Sequence, residues 1–355
     1  MISFYPGPSR LYTKIPEFMQ EACEKRVLSI NHRSPEFVEI SKKTIALFKQ
    51  KLNVPEEYTI FFTSSATECW EIIAQSLIKE QSYHLYNGAF GEKWFEHTKK
   101  LKSNCVGKQF EVEEELTVDS FPIPKEAELI AITQNETSNG TEVSNDLIKS
   151  YRLNYPDKLI AIDATSSMAG IFIDFSNADV WYASVQKCFG LPAGLAVMIC
   201  SSKAVQRAKE MGENSHYNSL VPMIEKMKDF QTTYTPNVLA IYLLMKVLEM
   251  VSSIKKTDEK TRAVAKNWYD FLNELKGFEV LVKNEKLRSG TVIAVGGQED
   301  FIAKIKKEAK EKGLLLGNGY GNWKANTFRI ANFPAIEADE INKLKDFLRT
   351  FKLKF

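Results

Sequence analysis

Lys187 has the strongest claim to chemistry in this chain. It stands in Val180-Trp-Tyr-Ala-Ser-Val-Gln-Lys187-Cys-Phe-Gly-Leu-Pro-Ala-Gly194, between an apolar run and a Gly/Pro turn that leads to a second apolar run from Leu195. The pattern predicts two core strands joined by a short connection, with Lys187 in the joint. Lysine is rarely fully buried. In such a pocket the charged form loses solvation, its pKa falls and the free amine becomes available, as a Schiff-base lysine requires. A lysine that ends a strand and sends its ammonium group to water would leave the same local pattern.

Asp163 separates those two readings. Leu159-Ile-Ala-Ile-Asp163 is an apolar run closed by a carboxylate, with Ala-Thr-Ser-Ser following. A carboxylate at the carboxyl end of a buried strand lies on the ligand-binding edge of an open α/β sheet. Pyridoxal phosphate needs such a partner at its ring nitrogen, because the protonated ring is the electron sink for carbanion chemistry. Asp163 and then Lys187, at the ends of consecutive strands, supply both ends of that cofactor.

Other stretches must position those two. Tyr58 to Thr63 reads as a strand feeding Ser64-Ser-Ala-Thr-Glu68 and a helix with apolar residues at Trp70, Ile73, Ala74, Leu77 and Ile78. Ser65 and Glu68 fit a capping box. The same helix start offers the backbone N–H groups of Ala66 and Thr67 to a phosphate, with Glu68 turned away. The strand Ser82 to Tyr86 leads into Asn-Gly-Ala-Phe90-Gly, where Phe90 is a ring-stacking platform or a core residue. Glu128 to Thr133 gives a strand ending in the polar loop Gln-Asn-Glu-Thr-Ser-Asn-Gly140. His32-Arg33 precede a Pro-initiated helix running to Lys51, as an exposed loop or as an anion clamp.

The chain has 355 residues, 44% hydrophobic and 26% charged, enough for two domains with sizeable cores. Strands alternating with helices predict an α/β fold with an open, mainly parallel sheet wrapped on both faces. Residues 1–12 are punctuated by Pro and Gly and predict no core element; a helix is expected over Ile15 to Val27. Beyond about residue 235 the pattern shifts to helix (Pro236 to Val251), helix (Glu259 to Leu275), strand (Gly290 to Val295), helix (Glu299 to Lys312), strand (Thr327 to Ala331) and helix (Ala338 to Phe351). The expected organisation is an N-terminal arm (1–11), a large domain (12–250) and a small C-terminal α/β domain (251–355). Gly317-Asn-Gly-Tyr-Gly opens no predicted helix and lacks the third glycine of a dinucleotide-binding loop.

A net charge of +2 with no basic block does not indicate nucleic acid. The five scattered cysteines form no Cys-x-x-Cys pair and no metal-binding spacing, and read as free thiols of a reducing cytoplasm. No signal peptide or membrane span is evident, which predicts a soluble, cytoplasmic protein.

Taken together, Phe4-Tyr-Pro-Gly-Pro-Ser9, His32-Arg33, Asn135-Glu-Thr137, Asp163, Gln186-Lys187 and Phe328-Arg329 occur in the order found in the class V aminotransferases, which the chain resembles over nearly its whole length. The resemblance implies the pyridoxal phosphate transferase fold of the aspartate aminotransferase type (fold type I). It implies Lys187 as the cofactor-bearing lysine, Asp163 on the ring nitrogen, Phe90 stacked on the ring and Thr137 on its oxygen. It places Ala66, Thr67 and Gln186 on the cofactor phosphate, joined by Tyr234 and Thr235 from the neighbouring subunit of a homodimer. His32 and Arg33 would hold the substrate's distal anion, and Arg329 its α-carboxylate. The implied reaction is transamination between an amino acid and an α-keto acid. Within the family the likeness is greatest to members acting on phosphoserine and 2-oxoglutarate in serine biosynthesis. Many of those carry an arginine in the cradle where this chain has Ser64-Ser-Ala-Thr-Glu68. That difference keeps serine–pyruvate and alanine–glyoxylate transamination as alternatives. A non-catalytic protein of this fold would be expected to lack Lys187 or Asp163. A cysteine desulfurase would need a small-domain cysteine, and residues 201–355 contain none.

Overall fold

A computed structural model describes residues 1–351; the last four residues of the expected small domain, 352–355, lie outside the described residues. Its larger sheet has seven strands, in the order Thr59–Thr63, Ala196–Cys200, Val180–Ser184, Leu159–Asp163, Leu129–Thr133, Ser82–Tyr86 and Val106–Gln109. The strand Ala196–Cys200 is antiparallel to both neighbours, and every other pairing in the sheet is parallel. The central strands are buried at every position. That burial explains their unbroken apolar runs, since helices cover both faces of a parallel sheet.

Register decides what meets at the sheet edge. Thr133 pairs with Asp163, so those two strands end level, and Asp163 pairs with Tyr182, from which the third strand runs on to Ser184. The chain leaves the sheet there, and the loops after these strands share one crevice. On one flank the helix Pro35–Leu52 packs against Val238–Met250. It begins at Ser34, whose hydroxyl accepts the Phe37 N–H, and Pro35 fills the first position, where a missing N–H costs nothing.

The smaller sheet is ordered Ile2–Phe4, Leu314–Asn318, Thr327–Ala331, Val292–Gly296, Glu279–Val280. Its first strand corrects the reading of residues 1–12 as irregular. Ile2–Phe4 pairs in parallel with Leu314–Leu316, and Phe4 is fully buried in the core beneath this sheet. Three residues are too few to show a period, so only the partner strand reveals this one. The expected C-terminal pattern likewise holds no strand at that partner, Leu314–Asn318, which takes in the start of the Gly317 segment. Other boundaries also move. The first helix stops at Glu24 and a 3-10 turn covers Val27–Ser29, while the helix expected from Glu259 begins at Ile254. Hydrophobic contacts form two clusters, one drawn from residues between Ile15 and Ile254 and one from Phe4, Cys188 and residues between Ala265 and Leu348. Among the described residues the five cysteines are free, and no helix is long and apolar enough to cross a membrane.

Candidate active site

The strand Val180–Ser184 ends in a turn that presents Lys187. The Gly190 N–H donates to the Lys187 carbonyl at 2.9 Å, and Gly190 has a φ of +61°. A Cβ there would lie 2.7 Å from Tyr12 Cδ2 and 2.9 Å from Ala335 Cβ, so only glycine closes the turn against its neighbours. The N-terminal arm is tied down beside it: Ser9 N–H donates to the Gln186 carbonyl at 3.0 Å.

Lys187 is 7% exposed, and its Nζ donates to Thr137 Oγ1 and to Ser166 Oγ, each at 2.8 Å. Burial pulls its pKa down to about 8, although Asp163, Glu136 and Cys188 oppose that shift. A neutral amine that gives both its protons to hydroxyls keeps a free lone pair, the form that attacks a carbonyl or takes a proton. Nζ also lies 5.1 Å from the centroid of the Phe90 ring.

Asp163 is buried at the end of the central strand. Its Oδ1 accepts the Thr165 N–H at 2.8 Å, and the nearby Tyr182 hydroxyl, which accepts from Trp70 Nε1 at 2.8 Å, also favours its ionised form. Burial still raises its pKa, because these donors and Lys187 only partly replace lost water. A cation placed against Asp163 would hold it ionised.

The strand Thr59–Thr63 delivers the helix Ala66–Leu77 to the same edge. Ser65 Oγ caps it by accepting the Glu68 N–H at 3.1 Å. The reciprocal half of the expected capping box is absent: Glu68 accepts from Ser64 N at 2.6 Å, Ser64 Oγ at 2.7 Å and the Tyr217 hydroxyl at 2.8 Å. Three donors thus occupy the carboxylate. The Ala66 N–H is not free either, donating to Ser184 Oγ at 2.9 Å, while Thr67 is exposed at the helix start.

Arg329, on the strand Thr327–Ala331, reaches across from the smaller sheet. Its Nε donates to the Asn318 carbonyl and its Nη1 to the Thr137 carbonyl, both at 2.7 Å. No protein acceptor is found for Nη2 among the described residues. The guanidinium carbon sits 5.6 Å from the Tyr320 ring, whose centroid is 5.4 Å from that of Phe90.

The family model of the class-V aminotransferases matches residues 6–320. The chain belongs to that family. It is 26% identical over 350 residues to a phosphoserine aminotransferase of Rhodococcus opacus, covering 95% of this chain and 91% of the relative. The crystal structure of a phosphoserine aminotransferase from Cytophaga hutchinsonii is 32% identical and superposes with a TM-score of 0.93, covering 98% of both chains. An alanine–glyoxylate aminotransferase from Nostoc sp., at 15% identity, shares the fold with a TM-score of 0.85 over 99% of this chain and 95% of that one.

This aminotransferase brings Lys187, Asp163, Phe90, Thr137 and Arg329 together with the Ala66–Thr67 helix start, and Gln186 lies beside Lys187, half-buried. His32, Arg33, Tyr234 and Thr235 fall in a second cluster. Arg33 Nη1 donates to Gln231 Oε1 at 2.8 Å and to the Thr232 carbonyl at 2.7 Å. Partial burial and the adjacent Arg33 lower the His32 pKa. Tyr234 donates to the Phe62 carbonyl at 3.4 Å, and Thr235 is exposed. Among the described residues no hydrogen bond joins this cluster to Lys187, Asp163 or Arg329. Four contributors had not been singled out as site residues: Ser166 and Ser184 around Lys187 and Ala66, Glu136 behind Phe90, and Tyr320 beside Arg329. Ser166 carries a signal, since it follows Asp163 in the same crevice loop, and Glu136 lies inside the Asn135-Glu-Thr137 motif; Ser184 and Tyr320 are recognisable only by what they touch.

Proposed function

We propose that this aminotransferase uses pyridoxal 5'-phosphate held by Lys187 and transfers the amino group of phosphoserine to 2-oxoglutarate. The observation that carries the cofactor reading is the buried Lys187 amine, whose protons go to Thr137 and Ser166 while Asp163 waits nearby for a cation. The residues present fit the group: an amine with its pKa pulled down, a buried carboxylate in no ion pair among the described residues, an aromatic face and a helix start for phosphate. When bound, pyridoxal phosphate supplies the electron sink and carries the amino group between the two substrates. Asp163 would hold the positive ring nitrogen, and the Phe90 ring would exclude water from one face. The dipole of the Ala66–Leu77 helix and the Thr67 amide favour the phosphate, with Ser184 able to release the Ala66 N–H. Arg329 offers its free Nη2 edge to the substrate α-carboxylate, and the Lys187 amine accepts the α-proton.

Substrate choice rests on the distal anion. Phosphate monoesters carry close to two charges at neutral pH. His32 and Arg33 are the nearest match, completed in a homodimer in which they and Tyr234-Thr235 reach the partner's crevice. In support, Thr235 is exposed, and so is Tyr217, whose ring lies 6.3 Å from that of Tyr234. The relatives named above as phosphoserine aminotransferases support the same substrate. Free thiols suit a cytoplasmic enzyme of serine formation.

Initial rates with phosphoserine, serine, alanine and glutamate against 2-oxoglutarate, pyruvate and glyoxylate test this. Phosphoserine with 2-oxoglutarate should give the highest kcat/KM, whereas a preference for alanine–glyoxylate or serine–pyruvate would replace the assignment. Arg33→Ala should lose about 10- to 100-fold in kcat/KM for phosphoserine, the range of one charged hydrogen bond. It should lose far less with alanine, which has no distal anion; equal losses would make Arg33 structural. Mixing Lys187→Ala subunits with Thr235→Ala subunits should restore part of the activity, because one site of each hybrid dimer is then intact. Active monomers in light scattering would rule out the shared site.

A further inference from the structure

The Asn135-Glu136-Thr137 segment gives Thr137 to the site, which leaves the buried carboxylate of Glu136 without a role. Its Oε2 accepts the N–H groups of Phe90 and Gly91, both at 3.1 Å. Its Oε1 accepts the Ser138 N–H at 2.9 Å and the Ser138 hydroxyl at 2.6 Å. That hydroxyl in turn accepts the Ala89 N–H at 3.1 Å. The first three amides of the helix Ala89–Leu101 are therefore capped by a distant segment of chain, and the helix's own cap position is Gly88, which has no side chain to offer. A Cβ on Gly88 would lie 2.3 Å from Glu136 Cγ and 2.5 Å from Ser138 Oγ, so glycine there admits the clamp. The next residue, Thr137, receives Lys187 on its hydroxyl and Arg329 on its carbonyl. The preceding one, Asn135, accepts the Ser289 hydroxyl at 2.6 Å from beside the smaller sheet.

We propose that Glu136 is a positioning residue of the transamination site: it locks the turn carrying Phe90 against Thr137, sets the gap left for the cofactor ring, and balances the charges of Lys187 and Arg329. The inference rests on the cofactor reading above. Burial raises the pKa of Glu136, while Ser138 and the Gly91 amide oppose this by binding its ionised form. The titratable and charged groups facing Lys187 are Asp163, Glu136, Cys188 and Arg329, and those facing Arg329 are Glu136, Tyr320 and Tyr5. Glu136 acts to raise the Lys187 pKa, so neutralising it should lower that pKa further.

Two variants separate the clamp from the charge. Glu136→Gln keeps the size and one acceptor but removes the charge; Gly88→Ala keeps the charge but pushes the carboxylate off the helix start. Both should lose about 100-fold in kcat, the scale of a displacement of about 1 Å at a reacting centre, with a much smaller change in KM. Both should also alter the visible circular dichroism per bound cofactor. The third readout uses cofactor-free protein: the pH midpoint for reductive methylation of Lys187, followed by peptide mass spectrometry, should fall in Glu136→Gln and stay in place in Gly88→Ala. If Glu136→Gln does not fold, Glu136→Asp, with its charge one methylene short, should lose kcat without moving the midpoint. Folded variants with wild-type kcat, dichroism and midpoint would overturn the proposal. A wild-type protein without a borohydride-fixed adduct on Lys187 would overturn the cofactor reading, and this inference with it.

Discussion

Lys187→Ala is expected to lose at least about four orders of magnitude in turnover, the upper end of what acid–base catalysis alone contributes. In the proposed reaction the same amine would hold the cofactor and accept the substrate α-proton, so no other side chain in the crevice would replace it. Wild-type protein should be yellow, and borohydride should fix the cofactor onto residue 187, as read by peptide mass spectrometry; the variant should show neither. An adduct at a different lysine would overturn the assignment. A pH measurement checks the environment independently. The folded pKa of Lys187 is about 8, below the ordinary 10.5. Between those values the unfolded chain binds more protons than the folded one, so this group makes cofactor-free protein more stable as the pH rises. Below about pH 8 the buried amine is charged in both states and its full penalty is present. Thermal unfolding of cofactor-free wild type and Lys187→Ala across that range should diverge in that sense.

Asp163→Asn should cost about two to four orders of magnitude in kcat/KM. The figure follows from removing one partner of a buried charge pair, about 3–5 kcal/mol, at about 1.4 kcal/mol per tenfold. Asparagine fills the same space and can still accept the Thr165 N–H, so the fold should survive. On the proposed reading the variant would lose the negative charge that keeps the cofactor's ring nitrogen protonated, and with it the electron sink for removing the α-proton. A stopped-flow measurement of α-proton removal, compared with deuterated substrate, should show this step becoming rate-limiting. A loss below tenfold with cofactor fully bound would show that Asp163 is not the ring's partner.

Lys187 and Asp163 were legible because strand periodicity and strand ends are local properties. Four apolar residues closed by an aspartate, followed by a strand and Gln-Lys in a Gly/Pro turn, already place both groups on one sheet edge. Thr137 and Arg329 entered through the family resemblance, Phe90 as an aromatic residue bracketed after a strand, and the fold brings all three to that edge. The capping box failed at one bond. A local rule pairs Glu68 with the Ser65 N–H, but Ser64 and Tyr217 compete for the carboxylate, and Tyr217 arrives from a distant segment. Ile2–Phe4 escaped notice because its strand exists only through pairing with Leu314–Leu316.

The sequence by itself determined the α/β class, the parallel core strands and the Asp163–Lys187 pair, because each rests on residues close in the chain. Only the tertiary structure decided the chemistry of their surroundings. It drew the Lys187 pKa down by burial, gave the amine's protons to Thr137 and Ser166, and put Arg329 on the Thr137 carbonyl. It also capped the Phe90 helix with Glu136 rather than with a neighbour in sequence. Desolvation and hydrogen bonding between distant segments depend on which surfaces are pressed together, and no spacing along the chain encodes that directly.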